Sequence, residues 1–98
     1  MVNRLQFFDS ISGIQYPRMI IDFFDHFIAL KQLVEDTGSI SVDKSTQNFI
    51  RFSIIFSNPE YKRTAISNMQ TGNIIIYNRP INVSFKDISE TELKIELR

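Results

Sequence analysis

The sequence predicts an α+β sandwich, with elements in the order β-α-β-β-α-β and two helices on one face of a four-stranded antiparallel sheet. Three observations predict it. Ile20, Phe23, Phe24 and Phe27 stand at i, i+3, i+4 and i+7, the spacing of one helix face. Residues 48–56, NFIRFSIIF, are aromatic and β-branched, and neither glycine nor proline interrupts them. Asn58 and Pro59 then supply an N-cap and a first helical residue for a second helix. With 98 residues the chain suits one domain around one modest core. That domain is read over 1–98, with its core over about 4–85 and an extension at 86–98.

Taken in order, residues 4–8 (RLQFF) read as a first strand, closed by the turn-forming DSISG. The alternation of Leu5 and Phe7 as inward residues turns Gln6 outward. The first helix starts near Pro17 and carries Arg18, Asp22, Asp25 and His26 on its polar face. Leu30, Leu33 and Val34 read as a second strand after a short connection, with continuation of the helix to Val34 as the alternative. DTGSISVDKST is polar and reads as a loop, with a brief extended piece at Ile40 and Val42. In residues 48–56 one face is Ile50, Phe52, Ile54 and Phe56; the other is Phe49, Arg51, Ser53 and Ile55. Ile50, Phe52, Ile54 and Phe56 are expected in the core together with Phe24, Ile81 and Val83. The second helix buries Tyr61, Ala65, Ile66 and Met69 and is expected to end at Gly72. NIIIY and PINVSF follow as strands about Asn78-Arg79-Pro80.

The tail admits two readings. Ser89 and Glu92 have the spacing of a helix capping box. Leu93, Ile95 and Leu97 instead alternate with Glu92, Lys94 and Glu96, which is strand periodicity. The strand is preferred, as an extra C-terminal strand and hairpin partner for 81–85.

Charge and composition narrow the chemistry. The formal net charge is zero, yet residues 44–86 hold Lys44, Arg51, Lys62, Arg63, Arg79 and Lys86 against Glu60 alone. Folding that segment onto one face makes a positive surface suited to a polyanion. The absence of cysteine removes disulfides, iron–sulfur ligation and thiolate zinc sites, and a single histidine leaves little for zinc. No metal and no cofactor are expected. No long apolar run marks a membrane span or a signal peptide, so an intracellular setting, nuclear or cytoplasmic, is expected. His26 and Asp22 at i, i+4 read as a surface pairing, because no nucleophile motif accompanies them. No glycine-rich phosphate loop supports nucleotide hydrolysis. The chain is read as a non-enzyme without a small-molecule substrate.

In combination, these segments resemble the RNA recognition motif family. Phe56-Ser57-Asn58-Pro59-Glu60 leading into Ala65-Ile66-Ser67-Asn68-Met69 looks like the family's strand end and capped helix. Ile76-Tyr77-Asn78-Arg79-Pro80-Ile81-Asn82-Val83 is similar to its I-x-G-R-x-I-x-V, with Asn78 in the glycine place. Ile20-x-x-Phe23-Phe24-x-x-Phe27 looks like its first helix. The resemblance covers about residues 4–85 and implies a ferredoxin-like fold that binds single-stranded RNA on the sheet. The family's stacking aromatics fall here on Arg51 and Ser53, so the binding it implies is weak and salt-dependent.

The expected RNA contacts are Phe8 and Phe49 as apolar surfaces and Arg51 as a stacking or phosphate-binding guanidinium. Ser53, Asn82 and Ser84 are expected to hydrogen-bond to bases. Two alternatives stand beside this. One is a protein-interaction module of the same fold that binds no RNA, with Phe49 and Ile55 as an apolar contact patch. The remote one is a dimeric aspartic protease, because Asp36-Thr37-Gly38-Ser39 matches the D-T-G-[SA] signature.

Overall fold

A computed structural model describes the backbone of residues 8–9 and 14–15 and the whole of residues 17–98. The chain is α+β, and its main sheet is antiparallel and five-stranded, with three helices beside it. A two-residue ladder, β1 (Phe8–Asp9) with β2 (Ile14–Gln15), stands apart from that sheet. The remainder of the strand expected over 4–8, including Gln6 and Phe7, lies outside the described residues.

Helix α1 (Arg18–His26) follows Pro17, whose carbonyl accepts from the Ile20 and Ile21 amides at 3.0 and 3.3 Å. Its apolar stripe is the predicted one: Ile20, Phe23 and Phe24 are fully buried. The chain breaks at Phe27 (φ −106°, ψ 74°) and resumes as α2 (Ile28–Thr37). Here the strand expected at Leu30 to Val34 gives way to the helical alternative. Ala29, Leu30, Lys31, Gln32 and Leu33 are all strong helix formers, and Leu30 and Val34 at i, i+4 both reach the core.

The polar stretch expected as a loop is a full edge strand, β3 (Gly38–Ser45), paired with β4 (Ile50–Phe56). Ile40 lies opposite Ile54 and Val42 opposite Phe52, and a register shift between Val42 and Lys44 leaves Asp43 as an extra residue. An edge strand covers little apolar surface, so its sequence looks like that of a loop.

Helix α3 (Pro59–Ser67) is capped as predicted: the Asn58 side chain accepts from the Glu60 and Tyr61 amides at 3.0 and 3.3 Å. It ends at Ser67 instead of Gly72, which opens β5 (Gly72–Ile76) with φ +94°. Tyr77 and Asn78, at φ 48° and 63°, form the two-residue turn into β6 (Arg79–Asp87). β7 (Glu92–Leu97) confirms strand over helix for the tail. The Ser89 hydroxyl does accept from the Glu92 amide, at 3.2 Å, but it closes the β6–β7 turn and caps no helix.

The strands lie in the order β3-β4-β7-β6-β5. β4 therefore has β3 on one side and β7 on the other, and neither side is left for a strand from the N-terminal residues. Among the described residues the main sheet has five strands and three helices beside it where four and two were expected, and their order, α-α-β-β-α-β-β-β, departs from the ferredoxin-like β-α-β-β-α-β. The reason is visible in the register: Leu93, Ile95 and Leu97 face Ile54, Phe52 and Ile50, a continuous apolar ladder that makes β7 a central strand.

All seven core residues expected from sequence are buried: Ile50, Phe52, Ile54, Phe56, Phe24, Ile81 and Val83. Phe23 and Phe24 both meet Phe52 with ring centroids 5.9 Å apart, packing α1 on that face of the sheet. Lys62 of α3 is buried along its stem and donates to Asp87 and to the Ser89 carbonyl, tying α3 to the end of β6.

Candidate nucleic-acid interface

Strand alternation sends the other side chains of β4, β6 and β7 to the opposite face of the sheet. Among the described residues, no helix covers that face. The register arranges it in two rows. Lys44 lies opposite Arg51, Arg51 opposite Glu96, and Glu96 opposite Ser84. In the next row Phe49 and Arg98 flank the paired residues Ile50 and Leu97, Arg98 and Asn82 exchange backbone hydrogen bonds of 2.9 and 3.0 Å, and Asn82 Nδ2 donates to Asn73 Oδ1 at 3.1 Å. At about 4.8 Å per strand, each row crosses four strands in about 15 Å.

Most of the residues expected to contact RNA come together here. Phe49, Arg51, Asn82 and Ser84 share the two rows. Ser53 is on the same face, but Asp43 and Lys94, on the strands flanking β4, join across it at 2.6 Å. Ser53 sits beneath this pair and retains 3% of its surface. The bulge at Asp43 gives the carboxylate its reach over β4. Phe8 is placed only as backbone opposite Gln15; its side chain lies outside the described residues.

The electrostatics centre on Phe49. Its ring has the Arg98 guanidinium at 5.0 Å, the Arg51 guanidinium at 5.3 Å and the Lys44 ammonium at 5.9 Å from its centroid. Glu96 steadies two of these cations, accepting from Arg51 Nε at 3.0 Å and standing 3.7 Å from Arg98. The Arg51 hydrogen bond holds the Glu96 carboxyl below its ordinary 4.5; partial burial opposes this, and the charges of Arg51, Lys86 and Arg98 assist. Asn48, Phe49, Arg51 and Arg98 line a shallow depression of about 350 Å³ at this corner.

Arg98, Lys44 and Glu96 were not among the RNA contacts expected from sequence, although Lys44 belongs to the basic stretch 44–86. The alternation over 92–97 already turned Glu96 outward, but nothing in the sequence paired it with Arg51, 45 residues earlier. Lys44 was hidden by the loop reading of β3.

The remaining candidates are placed elsewhere. Phe49 and Ile55 stand at opposite ends of β4, about 20 Å apart at the rise of a strand, so they form no single apolar patch. Asp36 and Thr37 end α2, Thr37 Oγ1 donating to the Leu33 carbonyl at 2.7 Å. Gly38 begins β3, where a β-carbon would stand 3.1 Å from the Ile55 carbonyl oxygen; the D-T-G-S run is a helix-to-strand junction. Asp22 pairs with Arg18 at 3.0 Å, while exposed His26 packs edge-on against Phe27. A larger depression of about 680 Å³ lies by α3, but its buried cation, Lys62, is already bound by Asp87 and Ser89. Among the described residues no helix is long and apolar enough to cross a membrane.

No family model, curated protein or solved structure matches the chain.

Proposed function

We propose that the uncovered sheet face binds single-stranded RNA, weakly and with strong dependence on salt. One observation carries the reading: the cations Lys44, Arg51 and Arg98 and the amide of Asn82 share a face with a partly exposed aromatic ring, in rows running across the strands. Guanidinium planes stack on bases and neutralise phosphates, amides and hydroxyls read base edges, and a row about 15 Å long spans two or three nucleotides. The resemblance of the sequence to the RNA recognition motif points the same way, and the loss of stacking aromatics at Arg51 and Ser53 fits weak affinity.

The test is a titration of amide shifts with a degenerate single-stranded RNA at low salt, repeated on two variants. Arg51→Ala weakens binding by about 1–2 kcal/mol. Arg51→Phe holds or improves affinity and flattens the salt dependence, because a neutral stacking ring replaces a cation. Unchanged affinity in both variants removes the reading.

A second reading, contact with a protein strand, is favoured by the β5 edge. Ile75 and Tyr77 there are 61% and 62% exposed, and β5 carries no charged side chain to discourage pairing. Amide shifts confined to 72–77 on addition of a partner, with none at Phe49 or Arg98, select it.

A further inference from the structure

The corner around Phe49 differs from the rest of the uncovered face in its charge balance. Elsewhere on the face the charges balance in number: Lys86 and Lys94 stand with Asp43 and Glu92, and Lys94 is taken by Asp43. At the corner Lys44, Arg51 and Arg98 surround one ring and meet only Glu96, leaving two positive charges in excess among these side chains. Among the described residues Lys44 makes no ion pair, its ammonium resting 5.9 Å from the Phe49 centroid. The cations are also arranged in advance. The face of the ring attracts all three, and Glu96 fixes two guanidinium groups whose remaining N–H donors, among the described residues, make no side-chain hydrogen bond.

A phosphodiester within a strand carries one negative charge, whereas a phosphate monoester carries close to two at neutral pH. Its three terminal oxygens accept from several donors at once. The depression of about 350 Å³ is within the range of small-ligand sites, and Asn48 on its rim adds an amide. Its position suits an end as well. It lies at the corner of the sheet, beside the β3–β4 turn, where Thr46 N donates to the Phe49 carbonyl at 2.8 Å and closes that side. The row Phe49–Arg98–Asn82–Asn73 leads away from it across the strands.

We infer that this corner is a phosphate monoester site, formed by Lys44, Arg51 and Arg98 around Phe49, which takes the phosphorylated terminus of an RNA strand lying on the sheet. The inference rests on the RNA reading for its ligand, but not for its chemistry.

The experiment measures binding of the full chain to short oligouridylates of one length with a 5′-phosphate, a 3′-phosphate or hydroxyl ends. Uridine monophosphate and inorganic phosphate are titrated in parallel against the amide shifts of Phe49 and Arg98. One phosphorylated end is expected to bind about five- to tenfold more tightly than hydroxyl ends, the gain from one charge-assisted contact. Lys44→Ala is expected to abolish that ratio, whereas Arg63→Ala, on α3, preserves it. Equal binding of all three oligonucleotides overturns the inference and leaves the RNA reading in place. If no oligonucleotide binds but the mononucleotide or inorganic phosphate shifts Phe49 and Arg98, the corner is a site for a phosphate dianion, and its assignment to an RNA terminus falls with the RNA reading. Tighter binding of the mononucleotide than of inorganic phosphate then assigns the site to nucleotides, and equal binding assigns it to free phosphate. Silence from every probe overturns both.

Discussion

Strands β4 and β7 present two faces built from the same backbone and the same register, and those faces do opposite work. On one side Ile50, Phe52 and Ile54 meet Leu97, Ile95 and Leu93, all buried under Phe23 and Phe24. On the other Arg51, Ser53 and Ile55 meet Glu96, Lys94 and Glu92. The apolar face is held by area removed from water, about 1.5–3 kcal/mol for each large side chain, and asks only for volume and shape. The charged face gains little stability from each pair, since partly exposed ions are screened and their ordering costs entropy. What it gains is placement: each carboxylate fixes where a cation stands. Stability and recognition are thus separated by one step of the strand alternation.

The sharpest way to break that contrast is on the apolar side. Phe52→Ala is expected to lose about 3–5 kcal/mol, because it empties the space between two helix phenyl rings and the sheet. Urea unfolding measures it, and a loss below about 1 kcal/mol would mean the faces are not divided as described. Its register neighbour Arg51 should behave in reverse: Arg51→Ala changes stability by less than about 1 kcal/mol while weakening RNA binding by about 1–2 kcal/mol. Comparable losses of stability in the two variants would erase the distinction.

A double-mutant cycle on Asp43 and Lys94 probes the charged face alone. The pair is partly exposed, so a coupling of about 0.2–1 kcal/mol is expected. The larger consequence is for Ser53, whose amide environment opens when either partner is removed. A nuclear magnetic resonance spectrum in which Ser53 does not shift would show that the pair does not cover it.

The smallest effect is with pH. Glu96 titrates below 4.5 in the folded chain because Arg51 donates to it. A carboxyl lowered in the folded state adds stability that is complete above the unfolded value and disappears as pH falls through the folded one. Stability from Glu96 is therefore constant in neutral solution and lost only in acid, below the ordinary carboxylate range. Replacing Arg51 with methionine should move the carboxyl titration upward, as read from the carboxyl carbon shift.

The same two faces show what could be read in the sequence. Period-two alternation in 48–56 and 92–97 gave the burial of both strands, and Asn58-Pro59 gave the start of α3, because these signals are local. The place of β7 between β4 and β6 was not readable, since register with β4 is decided by which apolar ladder packs under Phe23 and Phe24. β3 was missed for a related reason: an edge strand with two inward apolar residues, Ile40 and Val42, carries almost no hydrophobic pattern. α2 went the other way, its Leu30 and Val34 serving strand or helix spacing until helix propensity decided. In the candidate interface, Phe49, Arg51, Asn82 and Ser84, all named from the sequence, stand on one face of the sheet. As contacts the sequence left out Arg98, which the pairing of Ile50 with Leu97 sets beside Phe49, and Lys44, read only as part of the basic stretch and set opposite Arg51 beyond the bulge at Asp43.

β7 also bears on how the chain folds in time. β3–β4, β5–β6 and β6–β7 are hairpins between neighbours in sequence, each able to close quickly, yet two-stranded hairpins are marginal on their own in water. Among the described residues β7 alone links β4 to β6, and its contact with β4 brings together Arg51 and Glu96, separated by 45 residues. Closing that loop entails an entropic barrier before the β4–β7 ladder forms, so docking of the six-residue β7, with β6 beside it, onto β4 is expected to limit the rate of folding. Until it happens, β4 and β7 each expose an unpaired edge, and the apolar ladder Ile50, Phe52 and Ile54 is open to intermolecular pairing. The strand that completes the core is therefore also the one that protects the chain from aggregation.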